Sequence, residues 1–251
     1  MTDLVKIERD GRVLSITLNR ADKKNALTHA MYAAIADALE LAHDDAQIRC
    51  VIISGAGDTF TAGNDLGDFA AGLPEGKAPV RCFLENLLSC DKPVMAAVNG
   101  PAVGLGLTLL LHCDLAYASE TATFRAPFPH IGVVPEAGSS LLLPAAVGIA
   151  WANDIFIAGR VLTAAEALSA GLISRVFPAS SLMAECKSIA ANIAAQAPNA
   201  MLHSKRLVRL NREAVAERMQ KESAIFSAQL KSPEFTEAAM AYMQRRQPKF
   251  D

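Results

Sequence analysis

Residues 94–111 run for 18 positions without one charged side chain. A stretch of that length either crosses a membrane as a helix or lies inside a folded domain. Asn99, Gly100, Pro101, Gly104 and Gly106 interrupt it, and Pro101 would break a spanning helix by removing a backbone donor and clashing with the turn before it. The segment therefore reads as a buried strand at 94–98, a Gly/Pro turn, and a buried helix at 105–111.

The same logic extends along the chain. Val-, Ile- and Thr-bearing runs at 5–9 and 13–18 flank Asp10-Gly11, a turn dipeptide, and predict a hairpin. Thr28 is placed to cap a helix whose Met31, Ile35, Leu39 and Ala42 share one face. A buried strand is expected at 50–54, a helix at 80–88 and a returning strand at 115–119. Strand, turn and helix alternate to about residue 150, the pattern of an α/β domain with buried strands. Beyond it the chain becomes helical. Thr163 and Glu166 form a capping box and Gly171 a C-cap, and a short strand at 174–177 follows. Helices are expected at 182–197, 200–211 and 214–230, and Ser232-Pro233-Glu234 opens a last one. This divides the chain into a core at 1–195 and a C-terminal helical region at 196–251.

Of 251 residues 51% are hydrophobic and 20% charged, enough apolar material for a sizeable core. A net charge of −2 argues against nucleic-acid binding through a general positive field. No basic-then-apolar leader is visible at the start, and Lys249-Phe250-Asp251 is not a peroxisomal address. Five cysteines without a C-x-x-C pair read as reduced packing residues. The expected location is cytoplasmic, without a membrane partner.

Three motifs carry little. Gly104-Leu105-Gly106 lacks the third glycine of a dinucleotide fingerprint, since Leu109 stands there. His130 is a lone imidazole, and the five histidines are too scattered for a metal site. Lys205, Arg206, Arg209 and Arg212 fall on one expected helix and read as a solvated basic face, with a subunit or phosphate contact left open.

The informative pattern is a pair of glycine-bearing turns. Phe60-Thr61-Ala62-Gly63-Asn64-Asp65-Leu66 follows the 50–54 strand, and Asn99-Gly100-Pro101-Ala102-Val103-Gly104-Leu105-Gly106 follows the 94–98 strand. Glycine lets backbone approach a ligand closely, and two such turns at strand ends can aim two amides at one oxygen, as an oxyanion hole does. Asn19-Arg20-Ala21-Asp22-Lys23-Lys24-Asn25-Ala26-Leu27 precedes them, and Pro127-Phe128-Pro129-His130-Ile131-Gly132-Val133-Val134-Pro135-Glu136 follows. With Ala164-Ala165-Glu166-Ala167-Leu168 and Gly171-Leu172-Ile173, the chain resembles the crotonase family of enoyl-CoA hydratases and isomerases over nearly its whole length.

That resemblance implies a spiral of strand-strand-helix turns, C-terminal helices that join subunits into a homotrimer or hexamer, and acyl-CoA thioester substrates. Coenzyme A would come as part of the substrate, with no metal or redox cofactor. The resemblance assigns the amides of Asn64 and Leu105, the latter preceded by Gly104, to the thioester oxygen. Ala62, Gly63, Asp65 and Leu66 would border coenzyme A, Lys23 and Lys24 its phosphates, and Ala26 its adenine. Asp65, Asp114 and Glu120 read as turn and structural acids, and the 68–80 segment is expected to shape the acyl site.

Hydratases of this family use two glutamates; the matching positions here are Thr108 and Phe128, neither of which can serve as a carboxylate. A carboxylate stands instead at Glu136. Moving a double bond from the 3,4 to the 2,3 position needs one group, to take a proton from C2 and return one to C4. In this the chain is most similar to the peroxisomal-type Δ3,Δ2-enoyl-CoA isomerases, with hydration of another enoyl-CoA, or thioester binding without turnover, as alternatives. Val133, Val134 and Pro135 would raise the Glu136 pKa by burial; a place in the first turn of a helix would lower it. The sequence leaves that balance open.

Overall fold

The chain opens with the expected hairpin. β1 (Val5–Asp10) and β2 (Val13–Leu18) pair antiparallel, Val5 opposite Leu18 and Asp10 opposite Val13. This computed structural model describes residues 2–65, 67–68, 77–209 and 211–250. Thr28 caps α1 (His29–Asp44) by accepting from the Met31 N–H at 3.3 Å. β3 (Cys50–Gly55), α2 (Pro79–Ser89), β4 (Val94–Val98) and β5 (Ala102–Val103) follow. The expected 105–111 helix is α-helical for one turn only, α3 (Leu105–Thr108), and tightens to a 3-10 turn over Leu109–His112. β6 (Leu115–Ser119) and β7 (Thr123–Arg125) come next.

α4 (Ser139–Phe156) is a helix the sequence pattern does not announce. Pro144 lies within it and Gly148 breaks it at φ 79, ψ 159, two residues that mask a helical signal. By length and composition this helix is apolar enough to cross a membrane; Gly148 interrupts it, and one face, with Leu143, Val147 and Ile155, packs into the core. β8 (Leu162–Thr163), α5 (Ala164–Ala170), β9 (Arg175–Phe177) and α6 (Leu182–Ala195) complete the core elements. The capping box of Thr163 and Glu166 and the left-handed Gly171 C-cap stand as expected. Pro198 opens α7 (Pro198–Val208), Asn211 caps α8 (Arg212–Gln229) and Ser232 caps α9 (Pro233–Met243).

The main sheet runs β1-β2-β3-β4-β6-β9, parallel after the hairpin. Both its faces are covered, which explains the unbroken apolar strands. Val51, Ile53, Val94, Ala96, Val98, Ala116 and Ala118 join the cluster that includes α1; Cys50, Ile52, Met95, Ala97 and Tyr117 pack on Leu182, Cys186, Ala190 and Ala194 of α6. β5, β7 and β8 form a second small sheet.

The solvated-face reading of the basic run is wrong. Lys205 is buried and pairs with Asp114 at 2.8 Å, Arg209 reaches the same carboxylate at 2.9 Å, and Arg206 and Arg212 meet Asp91 at 2.6 and 2.8 Å. These charges fasten α7 and the start of α8 to the ends where β4 and β6 begin, and there Asp114 also accepts the Val94 N–H at 2.7 Å. Asp114→Ala leaves a buried ammonium unpaired, so the protein loses about 3–5 kcal/mol. A scanning-calorimetry Tm unchanged in that variant would contradict this account of the network.

Candidate active site

Two loops at the carboxyl ends of β3 and β4 are stitched together. Thr61 and Ala102 form a parallel bridge, Val103 donates to the Thr61 carbonyl at 3.0 Å, and the Phe60 and Thr61 amides share the Pro101 carbonyl at 3.1 Å. The glycines are there for close approach. A Cβ on Gly100 would fall 1.9 Å from the Asp58 carbonyl oxygen, and one on Gly106 would fall 2.6 Å from Thr61 Cγ2.

The same stitching brings the two expected amides together. Gly63, at φ 88, lies so close to the other loop that a Cβ there would be 2.8 Å from the Val103 carbonyl oxygen and 3.8 Å from the Leu105 nitrogen. The bridge of Leu27 beside Asn64 uses the Gly63 carbonyl and the Asp65 amide. The N–H groups of Asn64 and Leu105 donate to nothing among the described residues. Two unpaired backbone donors on adjacent loops suit a developing oxyanion.

Glu136 joins this site through α3. The Thr108 hydroxyl, one helical turn after Leu105, donates to Glu136 Oε1 at 2.9 Å. Glu136 is not in the first turn of a helix: it lies ahead of α4, in a turn closed by Ser139 N–H on its carbonyl at 3.1 Å, with Ala137 and Gly138 at φ 62 and 71. Glu136 therefore lacks the first-turn position in which a helix dipole would favour its charged form. Burial pushes its carboxyl up to about 8; the Thr108 hydrogen bond works against that, and the charge of Glu222 adds to it. Phe128, at the other hydratase position, is a buried ring 5.9 Å from Phe156.

The remaining expected site residues lie on the neighbouring loop. Asn25, buried at φ 54, holds this loop by donating to the Ala56 and Thr59 carbonyls at 2.9 and 2.7 Å and accepting the Arg20 amide at 2.9 Å. Lys23 and Lys24 are exposed; Lys24 pairs with Asp58 at 3.0 Å. The Ala26 carbonyl accepts from Arg20, and the Ala62 amide donates to the Lys24 carbonyl, tying that turn to the glycine loop. Asp65 pairs with Arg20 at 2.5 Å and caps the Gly67 and Asp68 amides, a turn acid. Gly104, at φ 55 and ψ −116, makes the bend before Leu105. Leu66 and residues 69–76 of the expected acyl-site segment lie outside the described residues.

Three further groups were not found by sequence reasoning. The Tyr32 hydroxyl donates to Asn64 Oδ1, and burial and the nearby Glu136 raise its pKa, so it stays a neutral donor. His112 Nε2 donates to the Ala137 carbonyl at 2.6 Å; burial pushes this imidazole down to about 4 and keeps it neutral. Glu222 accepts from Gly138 and Ser140. All three are distant in sequence from what they touch, and none sits in a local motif.

Residues 8–251 match the family described as Enoyl-CoA hydratase/isomerase. The chain is 38% identical over 250 residues to Enoyl-CoA delta isomerase 2 of Rattus norvegicus, an alignment covering 96% of this chain and 64% of that protein. It is 33% identical over 256 residues to 2,3-dehydroadipyl-CoA hydratase of Escherichia coli (strain K12), covering 100% of this chain and 99% of that one. A crystal structure of an enoyl-CoA hydratase/isomerase from Pseudoalteromonas atlantica T6c is 52% identical and superposes with a TM-score of 0.96, covering 99% of this chain and 100% of that one. The chain belongs to the enoyl-CoA hydratase/isomerase, or crotonase, family. It spans 64% of the length of the rat and human isomerases that it matches.

Proposed function

We propose that this protein is a Δ3,Δ2-enoyl-CoA isomerase acting on unsaturated fatty acyl-CoA. The observation that carries the reading is the Thr108–Glu136 hydrogen bond: where a hydratase of the family has an acid, this chain has a hydroxyl that serves a single carboxyl. Phe128 replaces the second acid with a buried ring. Glu222, a second carboxyl near Glu136 among the described residues, is occupied by two backbone amides.

The chemistry follows from these groups. Ionised Glu136 takes a proton from C2 of the 3-enoyl thioester; the electron pair moves into an enolate whose oxygen accepts from Asn64 and Leu105. Each such donor is worth about 3–4 kcal/mol in the transition state. The carboxylic acid then returns a proton to C4, the double bond settles between C2 and C3, and Glu136 is again ionised. Thr108 donates to the ionised form and steadies it between the two transfers. The reaction needs no metal or redox cofactor, since coenzyme A arrives with the substrate. A homotrimer or hexamer belongs to the same proposal, with exposed Ile149, Ile157 and Val161 as apolar surface for subunit contact.

The likeness to the Escherichia coli hydratase over its full length favours a second reading, water addition to an enoyl-CoA. Wild-type protein given 3-enoyl-CoA and 2-enoyl-CoA in parallel separates the two. Conjugated product is expected to form at least ~100-fold faster than hydrated product, the span of one acid–base contribution. Comparable or faster hydration would reverse the assignment. Because the base must be ionised and its pKa is raised to about 8, kcat/KM should climb about tenfold per pH unit below that value and level off above it.

A further inference from the structure

The loop that carries Glu136 is held from the far end of the chain. Glu222, 5% exposed, extends from α8 to accept from the Gly138 N–H at 2.5 Å and the Ser140 N–H at 2.9 Å, 84 residues away in sequence from Gly138. The fit leaves no slack: a Cβ on Gly138 would sit 3.1 Å from Val215 Cγ1 and 3.2 Å from Met219 Cγ, both on α8. Arg218, one turn before Glu222, donates to Ser140 Oγ at 3.3 Å. On the other side of Glu136, a Cβ on Gly132 would meet the Phe235 nitrogen of α9 at 2.8 Å. Both flanks of the loop thus rest on the C-terminal helices.

We propose that Glu222 is a positioning residue for Glu136: from the C-terminal helical region it clamps the catalytic loop and sets a second carboxyl close behind the acid–base carboxyl. The inference rests on the proposed role of Glu136. A neutral acceptor such as glutamine could bind one of these amides without the desolvation penalty of a buried charge. A carboxylate adds an electrostatic effect on its neighbour. Among the described residues, the groups facing Glu136 are Tyr32 from α1, a neutral phenol; Thr108 from α3, an uncharged donor; neutral His112, which touches the next carbonyl; and Glu222 from α8. Burial raises the pKa of Glu222 itself, and its hydrogen bonds from Ser140 and Gly138 and the charge of Arg218 on the same helix work against that and favour its ionised form. Ionised Glu222 disfavours ionisation of Glu136, so its charge helps hold Glu136 at about 8.

Glu222→Gln keeps size and an acceptor while removing the charge. The acid limb of kcat/KM, and the carboxyl titration of Glu136 followed by 13C NMR and assigned with Glu136→Gln, should both move about one pH unit lower. Arg218→Gln removes the offsetting charge and should move both to higher pH, with a Tm scan confirming that each variant is folded. A clamp that is only structural would change Tm or kcat and leave the titration in place. Unchanged titration in both folded variants overturns the proposal. Full turnover by Glu136→Gln would instead overturn the isomerase mechanism, and the NMR titration, which needs no turnover, would still decide the role of Glu222.

Discussion

Gly63→Ala is expected to lower kcat for isomerisation about 10²- to 10³-fold, the loss associated with one misplaced oxyanion donor. The new methyl would lie 2.8 Å from the Val103 carbonyl oxygen, on a residue at φ 88 that L side chains rarely adopt. The two loops must separate to admit it, and the Asn64 and Leu105 amides then diverge. Gly11→Ala is the control. Gly11 also has positive φ, at 56, but a Cβ there meets nothing within 4 Å, and it sits in the hairpin turn beside the start of β3, whereas the site follows that strand's end. That variant should lose some stability through backbone strain and keep its kcat. Steady-state rates and melting temperatures of both variants check the claim; wild-type kcat in Gly63→Ala would show that the two amides do not act together.

The glycine loops were legible because their reason is local: a close approach of backbone to backbone excludes any Cβ, and Gly63, Gly100 and Gly106 record that exclusion in the sequence. The strands 50–54, 94–98 and 115–119 were legible because burial on both sheet faces leaves an unbroken apolar run, and the hairpin because Asp10-Gly11 marks its turn. Glu136 was visible through its resemblance to a family pattern and its placement among apolar neighbours.

What escaped notice depends on partners remote in sequence. The basic run 205–212 looked solvated because Asp91 and Asp114, which bind it, lie about a hundred residues earlier. The pKa of Glu136 could not be settled because burial, Thr108 and Glu222 act on it together, and the helix suspected of lowering it starts beyond it. The strands of the second sheet are two or three residues long, too short for any alternation to register. Tyr32 stands beside Met31 on α1 with nothing in its local sequence to set it apart, and only the fold shows its hydroxyl on Asn64.

The most direct test of the central claim is the rate at which Glu136→Gln converts 3-enoyl-CoA to the conjugated 2-enoyl-CoA, followed by the absorbance of the conjugated thioester. Glutamine can keep a hydrogen bond to Thr108 and nearly the same volume, yet it can neither take a proton from C2 nor deliver one to C4. With one carboxyl doing both transfers, turnover should fall at least ~100-fold and up to ~10⁴-fold, while coenzyme A thioester binding stays near wild type. A folded Glu136→Gln protein that isomerises at the wild-type rate would contradict the account and remove Glu136 from the chemistry.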